Sequence, residues 1–429
     1  VSFDINSLYP HLIMQYNISP EKIVGMNPEG TSVNKLLSRK LNLEHLKDKD
    51  VCMAPNGATF KRDNAGFLPR LLDKMYQDRV VYKDKMMKAK KLYQETKDDK
   101  YKNEIARCHN IQWAKKIALN SAYGAIGNQY FRYYDVRQAT AITSSGQLVI
   151  RHIETEVNNY MNKILQTENV DYIVASDTDS IYLKLDSLVE KTCQDKTIDQ
   201  KVNFIDKVAQ QKIEPFIEKC FNDLSDYTNA FEQRMVMKRE VIADKAIWTA
   251  KKRYMLHVLD DEGIRLTKPK MKIMGIEAVK SSTPEVCRGK IKEAIDMMMT
   301  KDNDTLIKFV ADFREEFNQM TPEQISFPRS CNNLKKYRSS KDIFVKGTPI
   351  HVKGALIYNQ KIKEHKIDHI YPAIQEGDKI KFIKLKSRNP FKNDVISYIT
   401  KLPREFELDE YIDRDIMFEK TFITPLSFI

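Results

Sequence analysis

The six cysteines stand at 52, 108, 193, 220, 287 and 331, and no two form a CxxC pair. Neither a zinc site nor a disulfide framework is indicated, and reduced thiols inside a cell are the expectation. The eight histidines are scattered without metal-binding spacing. No apolar run approaches a membrane span, and no signal peptide is present in these residues, so no membrane partner is expected. Internal repeats and low-complexity stretches are missing too. So is an initiator methionine: the chain starts at Val1, inside what reads as a strand, which predicts a fragment, a processed product or half of a split protein. What is present is 429 residues, enough for two or three domains or lobes and a large core. Lys and Arg number 71 against 59 Asp and Glu, a formal charge of +12. With a pI of about 9.1, that balance suits a polyanionic partner, although a solvated lysine-rich surface gives the same count.

The most informative stretch is Tyr172-Ile173-Val174-Ala175-Ser176-Asp177-Thr178-Asp179-Ser180-Ile181-Tyr182-Leu183. Two β-branched and aromatic runs flank a short acidic turn, which predicts a β-hairpin. Asp177 and Asp179 are one residue apart. Carboxylates that close repel, and a cation is the usual reason to tolerate them. A bare Asp-x-Asp is more simply a surface turn, but here hydrophobic strands put the acids at the edge of a core. Val1-Ser2-Phe3-Asp4 reads as a second strand ending in an acid, and the apolar run 11–16 suits a helix. Three carboxylates then come together, and hard oxygen ligands point to magnesium, which binds through one or two carboxylates plus substrate phosphates.

Two helical stretches dominate the next part. Leu71, Leu72, Met75, Met86, Met87 and Leu92 recur at helical spacing among lysines, Lys97-Asp98-Asp99-Lys100 reads as a polar turn, and a second helix runs to about 124. The pair predicts a helical hairpin. Arg79 and Lys83 share a face at i and i+4, as do Lys116, Asn120 and Tyr123 at i, i+4 and i+7. A plain coiled-coil arm would carry solvated lysines as well. A cationic pair facing Lys116, however, suits a triphosphate, with Arg giving fork-like contacts and Lys point charges.

Four motifs, in order, resemble those of family B DNA polymerases. Asp4-Ile5-Asn6-Ser7-Leu8-Tyr9-Pro10 is similar to the DxxSLYP motif, and Lys116 to Gly124 to the KxxxNSxYG helix. Ser176-Asp177-Thr178-Asp179-Ser180 is similar to the DTDS hairpin, and Lys251-Lys252-Arg253-Tyr254 to the KKRY segment. The resemblance is greatest to T-even-type phage members, and covers nearly the whole chain. It implies an α+β right hand with an antiparallel-sheet palm (1–68 and 128–275), helical-hairpin fingers (69–127) and a helix-rich thumb (276–429) whose tail is truncated. It implies template-directed transfer of deoxynucleotides from dNTPs to a primer 3′-hydroxyl in phage DNA replication, with primer–template DNA as partner. The setting is then intracellular, the host cytoplasm if the origin is a phage.

The resemblance also distributes roles. Asp4, Asp177 and Asp179 become the catalytic acids, with Asp4 and Asp179 bridging two Mg2+ ions, for which Mn2+ can substitute, and the Ile5 carbonyl as an extra ligand. Ser7, Leu8, Tyr9, Arg79, Lys83, Lys116, Asn120 and Tyr123 surround the nucleotide, and the matching tyrosine to Tyr9 is the family's steric gate against ribonucleotides. Thr178, Lys251, Lys252, Arg253, Tyr254 and Lys280 hold the primer and DNA, and Glu240 is an accessory acid. Lysines beside aromatic residues suit contact with a nucleic-acid backbone and bases, though alone they fit an ordinary basic edge strand. Two positions depart from the family. Lys238 stands where phage members carry an acid, and Ser176 replaces a frequent glycine. The hairpin also reads shorter than in those phage members.

Elsewhere, 1–68 predicts a strand, a helix and irregular segments, and helices are expected over 138–165, 202–220, 284–299 and 304–319. Residues 235–259 alternate like strands, and 371–408 read as a small β-rich subdomain. The family carries an amino-terminal region and a 3′–5′ exonuclease before its first motif, so both are expected on a separate or missing part. A sliding-clamp contact is expected in the tail beyond 429. The other reading is a non-catalytic DNA-binding or assembly half of a split replication enzyme.

Overall fold

Two contact-dense units divide the chain: Val1–Ile242 with Leu259–Leu266, and Ala243–Val258 with Thr267–Ile429. The computed structural model describes residues 1–27, 30–339 and 342–429. The fold is mixed α+β, and every strand pairing whose register is given below is antiparallel.

The first unit opens with β1 (Ser2–Ile5). Phe3 and Ile5 are fully buried, and the two-residue period of a strand sends Asp4 to the opposite face. Ser7, at φ 50°, turns the chain into α1 (Leu8–Gln15). Three short strands follow: β2 (Ile23–Met26), β3 (Val51–Met53) and β4 (Ala58–Lys61), paired in the order β2-β4-β3. Only irregular chain is expected there from the sequence. The strands are three or four residues long, too short for alternation to stand out.

Two long helices come next, α2 (Phe67–Thr96) and α3 (Lys100–Ile126). Lys97 ends the first in the left-handed region at φ 57°, a common way to close a helix. The expected polar turn is therefore where it should be, within the bounds any helix end allows. Then α4 (Val136–Leu165) begins under an Asp135 cap, whose side chain accepts from the Arg137 amide. Its face of Ile142, Val149, Ile153 and Val157 is buried in the core. The acidic hairpin is β5 (Ile173–Asp177) and β6 (Ser180–Leu183). The single helix expected over 202–220 is two: α5 (Ile198–Val208) and α6 (Glu214–Tyr227), joined by one π-helical turn at Ala209–Ile213.

The main sheet runs β5-β6-β1-β7 (Met237–Ala250), followed by β8 (Arg253–Asp261) and β9 (Ile264–Met274). β7 leaves the first unit at Ala243. β1 lies between β6 and β7, so Asp4 stands opposite Ser180 on one side and Lys238 on the other. Each buried strand residue of Phe or Ile size contributes about 1.5–3 kcal/mol. That fixes the acid-bearing strand ends against a rigid core. β9 is absent from the sequence expectation. Its lysines at 268, 270 and 272 interrupt the apolar pattern, and only Ile273 is buried along it.

The second unit holds α7 (Glu285–Thr300), α8 (Asn303–Asn318), β10 (Phe327–Ser330), α9 (Ile350–Glu364), β11 (Lys379–Lys384) and β12 (Val395–Tyr398). The last two strands pair with β10 in the order β10-β11-β12. The expected β-rich stretch thus contributes two strands, and its third partner comes from outside it. Phe313, Phe317, Phe418 and Phe422 form an aromatic core, with the Phe313 and Phe422 rings 4.7 Å apart. All six cysteines are buried and unbonded to one another. Among the described residues no helix is long and apolar enough to cross a membrane.

Candidate active site

A cavity of about 800 Å3 opens in the first unit where five structural features meet. Its lining comes from the end of β1 and the turn after it (Asp4 to Pro10), and from the facing sides of α2 (Arg79, Lys83) and α3 (Lys116, Asn120, Tyr123). The tip of the acidic hairpin adds Thr178 and Asp179; β7 adds Lys238, Arg239 and Glu240; the β8–β9 turn adds Glu262. Acids of a sheet edge therefore face cations of a helical hairpin.

The acids are set by backbone pairing. The Ile5 amide donates to the Asp179 carbonyl at 2.7 Å, which ties the β1 end to the hairpin tip. Thr178 sits in the left-handed region at φ 55°. The Asp179 amide donates back to the Asp177 carbonyl at 2.6 Å, and the Thr178 hydroxyl donates to Asp177 Oδ1 at 3.1 Å. Asp177 ends β5 and is not among the lining residues, but its charge acts on Asp179. Burial pushes the Asp179 carboxyl above the usual carboxylate range, the Asp177 and Glu240 charges push the same way, and its own amide and Lys116 offset part of this. The Ser2 hydroxyl donates to Glu240 Oε2 at 3.4 Å.

Among the described residues, no three His, Cys, Asp or Glu side chains converge closely enough to hold a metal ion. The donor chemistry nevertheless suits a hard divalent cation. Asp4, Asp179 and Glu240 line one cavity, and Asp179 is destabilised by burial and by negative neighbours, which a cation would relieve.

Each cation of the hairpin has its own environment. Arg79 Nη1 donates to the Ser7 hydroxyl at 3.1 Å. Lys83 Nζ lies 3.5 Å from Glu262 Oε2. Lys116 Nζ is 5.5 Å from the Trp113 ring centroid, a cation–π distance. Near the root of the hairpin, Lys115 of α3 pairs with Asp78 of α2 at 2.8 Å. The Tyr9 ring packs against Tyr123, centroids 4.8 Å apart and tilted by 50°. Gly146 on α4 lies close by: a Cβ there would make ordinary contacts with Tyr9 Cε1 at 3.4 Å, Leu8 at 3.5 Å and Leu12 at 3.7 Å.

Lys238 Nζ donates to Glu214 Oε2 at 2.8 Å, and the other carboxylate oxygen accepts the Arg239 amide at 3.0 Å. Lys238 therefore puts an ammonium on the cavity wall, opposite Asp4 in the strand register and held by a largely buried glutamate. Ser176 donates to Glu154 at 3.5 Å.

Of the residues singled out from the sequence, Asp4, Ile5, Ser7, Leu8, Tyr9, Arg79, Lys83, Lys116, Asn120, Tyr123, Thr178, Asp179 and Glu240 line this one cavity. Sequence reasoning missed Asn6, Arg239 and Glu262. Lys251, Lys252, Arg253, Tyr254 and Lys280 belong to the second unit. There Lys252 turns at φ 63°, and Arg253 and Lys280 both pair with Glu277 at 2.8 Å. Gly275 passes so close to Lys252 that a Cβ would fall 1.9 Å from its carbonyl oxygen, and its own φ of 68° also demands glycine.

The first unit of this α+β protein thus sets acids at strand ends and cations of a helical hairpin around one cavity, an arrangement that can accept a polyphosphate together with a hard cation. The sequence profile of DNA polymerase family B matches residues 1–409, and the chain belongs to that family. It is 34% identical to the DNA-directed DNA polymerase of Escherichia phage RB69 over 486 aligned positions, covering 100% of this chain and 52% of that protein. Identity to the DNA-directed DNA polymerase of Enterobacteria phage T4 is 31%, covering 100% and 53%. DNA polymerase 1 of Pyrococcus abyssi is 24% identical, covering 98% and 47%. The chain thus spans about half the length of the curated relatives it matches.

Proposed function

We propose that this chain carries the synthetic part of a template-directed DNA polymerase, adding deoxynucleotides from dNTPs to a primer 3′-hydroxyl on a DNA template in phage replication. The observation that carries the reading is the convergence of Asp4 and Asp179 with Arg79, Lys83, Lys116, Asn120 and Tyr123 around one cavity. Residues 1–68 and 128–275 are the palm, 69–127 the fingers and 276–429 the thumb of a right hand.

The roles follow from position and charge. Asp4 and Asp179, with Asp177 assisting and the Ile5 carbonyl in reach of the same edge, would hold two Mg2+ ions, or Mn2+ in their place. Bound there, such ions lower the pKa of an attacking hydroxyl and stabilise a leaving pyrophosphate. Arg79, Lys83 and Lys116 neutralise the triphosphate, Arg79 with a planar fork and the lysines as point charges. Asn120 and Tyr123 flank the nascent base pair, and Ser7 and Leu8 floor the nucleotide. Tyr9 closes the space under C2′, where its ring, backed by Tyr123, leaves no room for a hydroxyl. Lys251, Lys252, Arg253, Tyr254 and Lys280 grip the primer, with Thr178 at the hairpin tip and Glu240 as an accessory acid. An amino-terminal and exonuclease part, and a sliding clamp, are the protein partners the family would supply.

Primer extension with purified chain, dNTPs and magnesium tests this, with and without the product of the neighbouring reading frame. Extension that disappears in Asp4→Ala is expected. A folded chain that binds primer–template yet never extends it, with or without that product, would leave the chain as a non-catalytic half.

A further inference from the structure

Lys83 reaches into the nucleotide cavity already engaged. Its ammonium lies 3.5 Å from the Glu262 carboxylate, and both residues line the cavity. Glu262 is held there by the fold. It sits in the two-residue turn between β8 and β9, where Glu262 and Gly263 both take positive φ, 49° and 85°. That is the requirement of the tight hairpin turn whose twist matches its strands. The Glu262 amide donates to the Glu240 carbonyl at 2.7 Å, which pins the turn to β7. The Gly263 amide donates to Asp260 Oδ1 at 3.0 Å. Asp260 is itself buried and paired with Arg239, whose other nitrogen lies 2.5 Å from Asp206 on α5. Arg265, beyond the turn, pairs with Asp199 at 2.9 Å and donates to Asn203 at 3.0 Å. A chain of charges running from α5 through β7 therefore stiffens the turn that aims Glu262 at Lys83.

The carboxylate so placed is ill suited to a site for a polyanion unless it is meant to leave. Both side chains are substantially exposed, 45% for Lys83 and 63% for Glu262, so the pair is weak and easily exchanged. We propose that Glu262 is the resident counter-ion of Lys83 and that an incoming triphosphate displaces it, so that nucleotide binding exchanges partners at one ammonium. Until then Glu262 holds the outer part of the nucleotide face of α2 towards the sheet. Glu262 is a positioning residue, since it acts through Lys83. The inference deepens the nucleotide-site reading above and rests on it.

The test is equilibrium titration of the 429-residue chain with a magnesium–deoxynucleoside triphosphate, for wild type, Glu262→Gln, Lys83→Met and the double variant. Glu262→Gln should bind about two- to fivefold tighter, the range an exposed ion pair can supply. The gain should shrink as salt is raised, and it should vanish in the Lys83→Met background. In primer extension the same variant should lower KM for the nucleotide without raising kcat. Equal or weaker binding by Glu262→Gln would overturn the exchange. So would a gain that survives in Lys83→Met, because Glu262 would then act only by repelling phosphate. If wild type and every variant bind no triphosphate, the nucleotide-site reading fails, and this inference with it.

Discussion

Two carboxylates, one in each unit, meet opposite fates. Asp179 at the hairpin tip is raised above the usual range, by burial first and then by Asp177 and Glu240. Asp394, beside β12, also pays for burial, but Lys353 and Lys384 each donate to it at 2.7 Å and bring its carboxyl down to about 2. The second unit pairs its acid twice, and the first leaves Asp179 among like charges, with Lys116 only a partial offset. Under the proposed function that contrast is expected, because a site that receives a cation keeps uncompensated negative charge whereas a structural acid is neutralised in place.

The largest break in this comparison comes from removing the acids of the cavity. Asp4→Ala or Asp179→Ala should lower nucleotide addition by about a thousandfold or more, the scale on which groups that stabilise developing charge act. Duplex affinity by anisotropy should be largely kept. Near wild-type extension in magnesium by either variant would refute the assignment. Next come the cations across the cavity. Arg79→Ala and Lys116→Ala should cost about tenfold to a hundredfold in kcat/KM for the nucleotide, one charge-assisted contact each, with far less effect on DNA affinity. Efficiencies within about twofold of wild type would displace them from the triphosphate.

Tyr9 sharpens the comparison, because the role proposed for it rests on shape and not on charge. Tyr9→Ala should relax discrimination against ribonucleotides by about tenfold or more, and Tyr9→Phe hardly at all, in paired incorporation assays. Unchanged discrimination by a folded Tyr9→Ala would reduce Tyr9 to a core residue.

The smallest effects are on stability, and their signs should oppose. Asp179 has a raised native pKa, so ionising it costs stability: the cost is absent below the unfolded value near 3.8 and grows as pH rises through the native value. Asp179→Asn should therefore stabilise the metal-free protein modestly at neutral pH and leave it unchanged in acid. Asp394 has a lowered pKa, so its contribution is full above 3.8 and fades as pH falls towards about 2. Asp394→Asn should destabilise at neutral pH by no more than about 1 kcal/mol, since the side chain is half exposed, and the deficit should shrink in acid. Urea titrations of both variants at several pH values give the two slopes, and slopes of equal sign would dissolve the contrast.

Much of this was legible in the residues. The Ile173–Asp177 and Ser180–Leu183 strands announce themselves by β-branched residues around a polar turn, and α2 and α3 by sustained apolar spacing with a polar break at 97–100. The i, i+4 and i+7 spacing of Lys116, Asn120 and Tyr123 was enough to put them on one wall. What escaped has no local signature. Strands β2, β3 and β4 are too short to show a period. The π-helical turn at Ala209–Ile213 preserves helical composition while shifting the register. Glu214 and Glu262 lie in or beside the site only because α6 and the β8–β9 turn come back to β7, a relation fixed by tertiary packing.

Helix α2 also has a mechanical consequence. Its 30 residues make a rod about 45 Å long at 1.5 Å per residue. Within it, Asp78 is clasped to Lys115, and Tyr76 accepts from Asn6 at 2.6 Å, both in the half nearer its start. A tilt of about 10° about the first turn would carry Arg79 by about 3 Å, one hydrogen-bond length, and Lys97 by about 8 Å. The far end amplifies whatever the near end does. A spectroscopic label at 97 would move more than twice as far as the guanidinium it reports on, and would touch none of the chemistry.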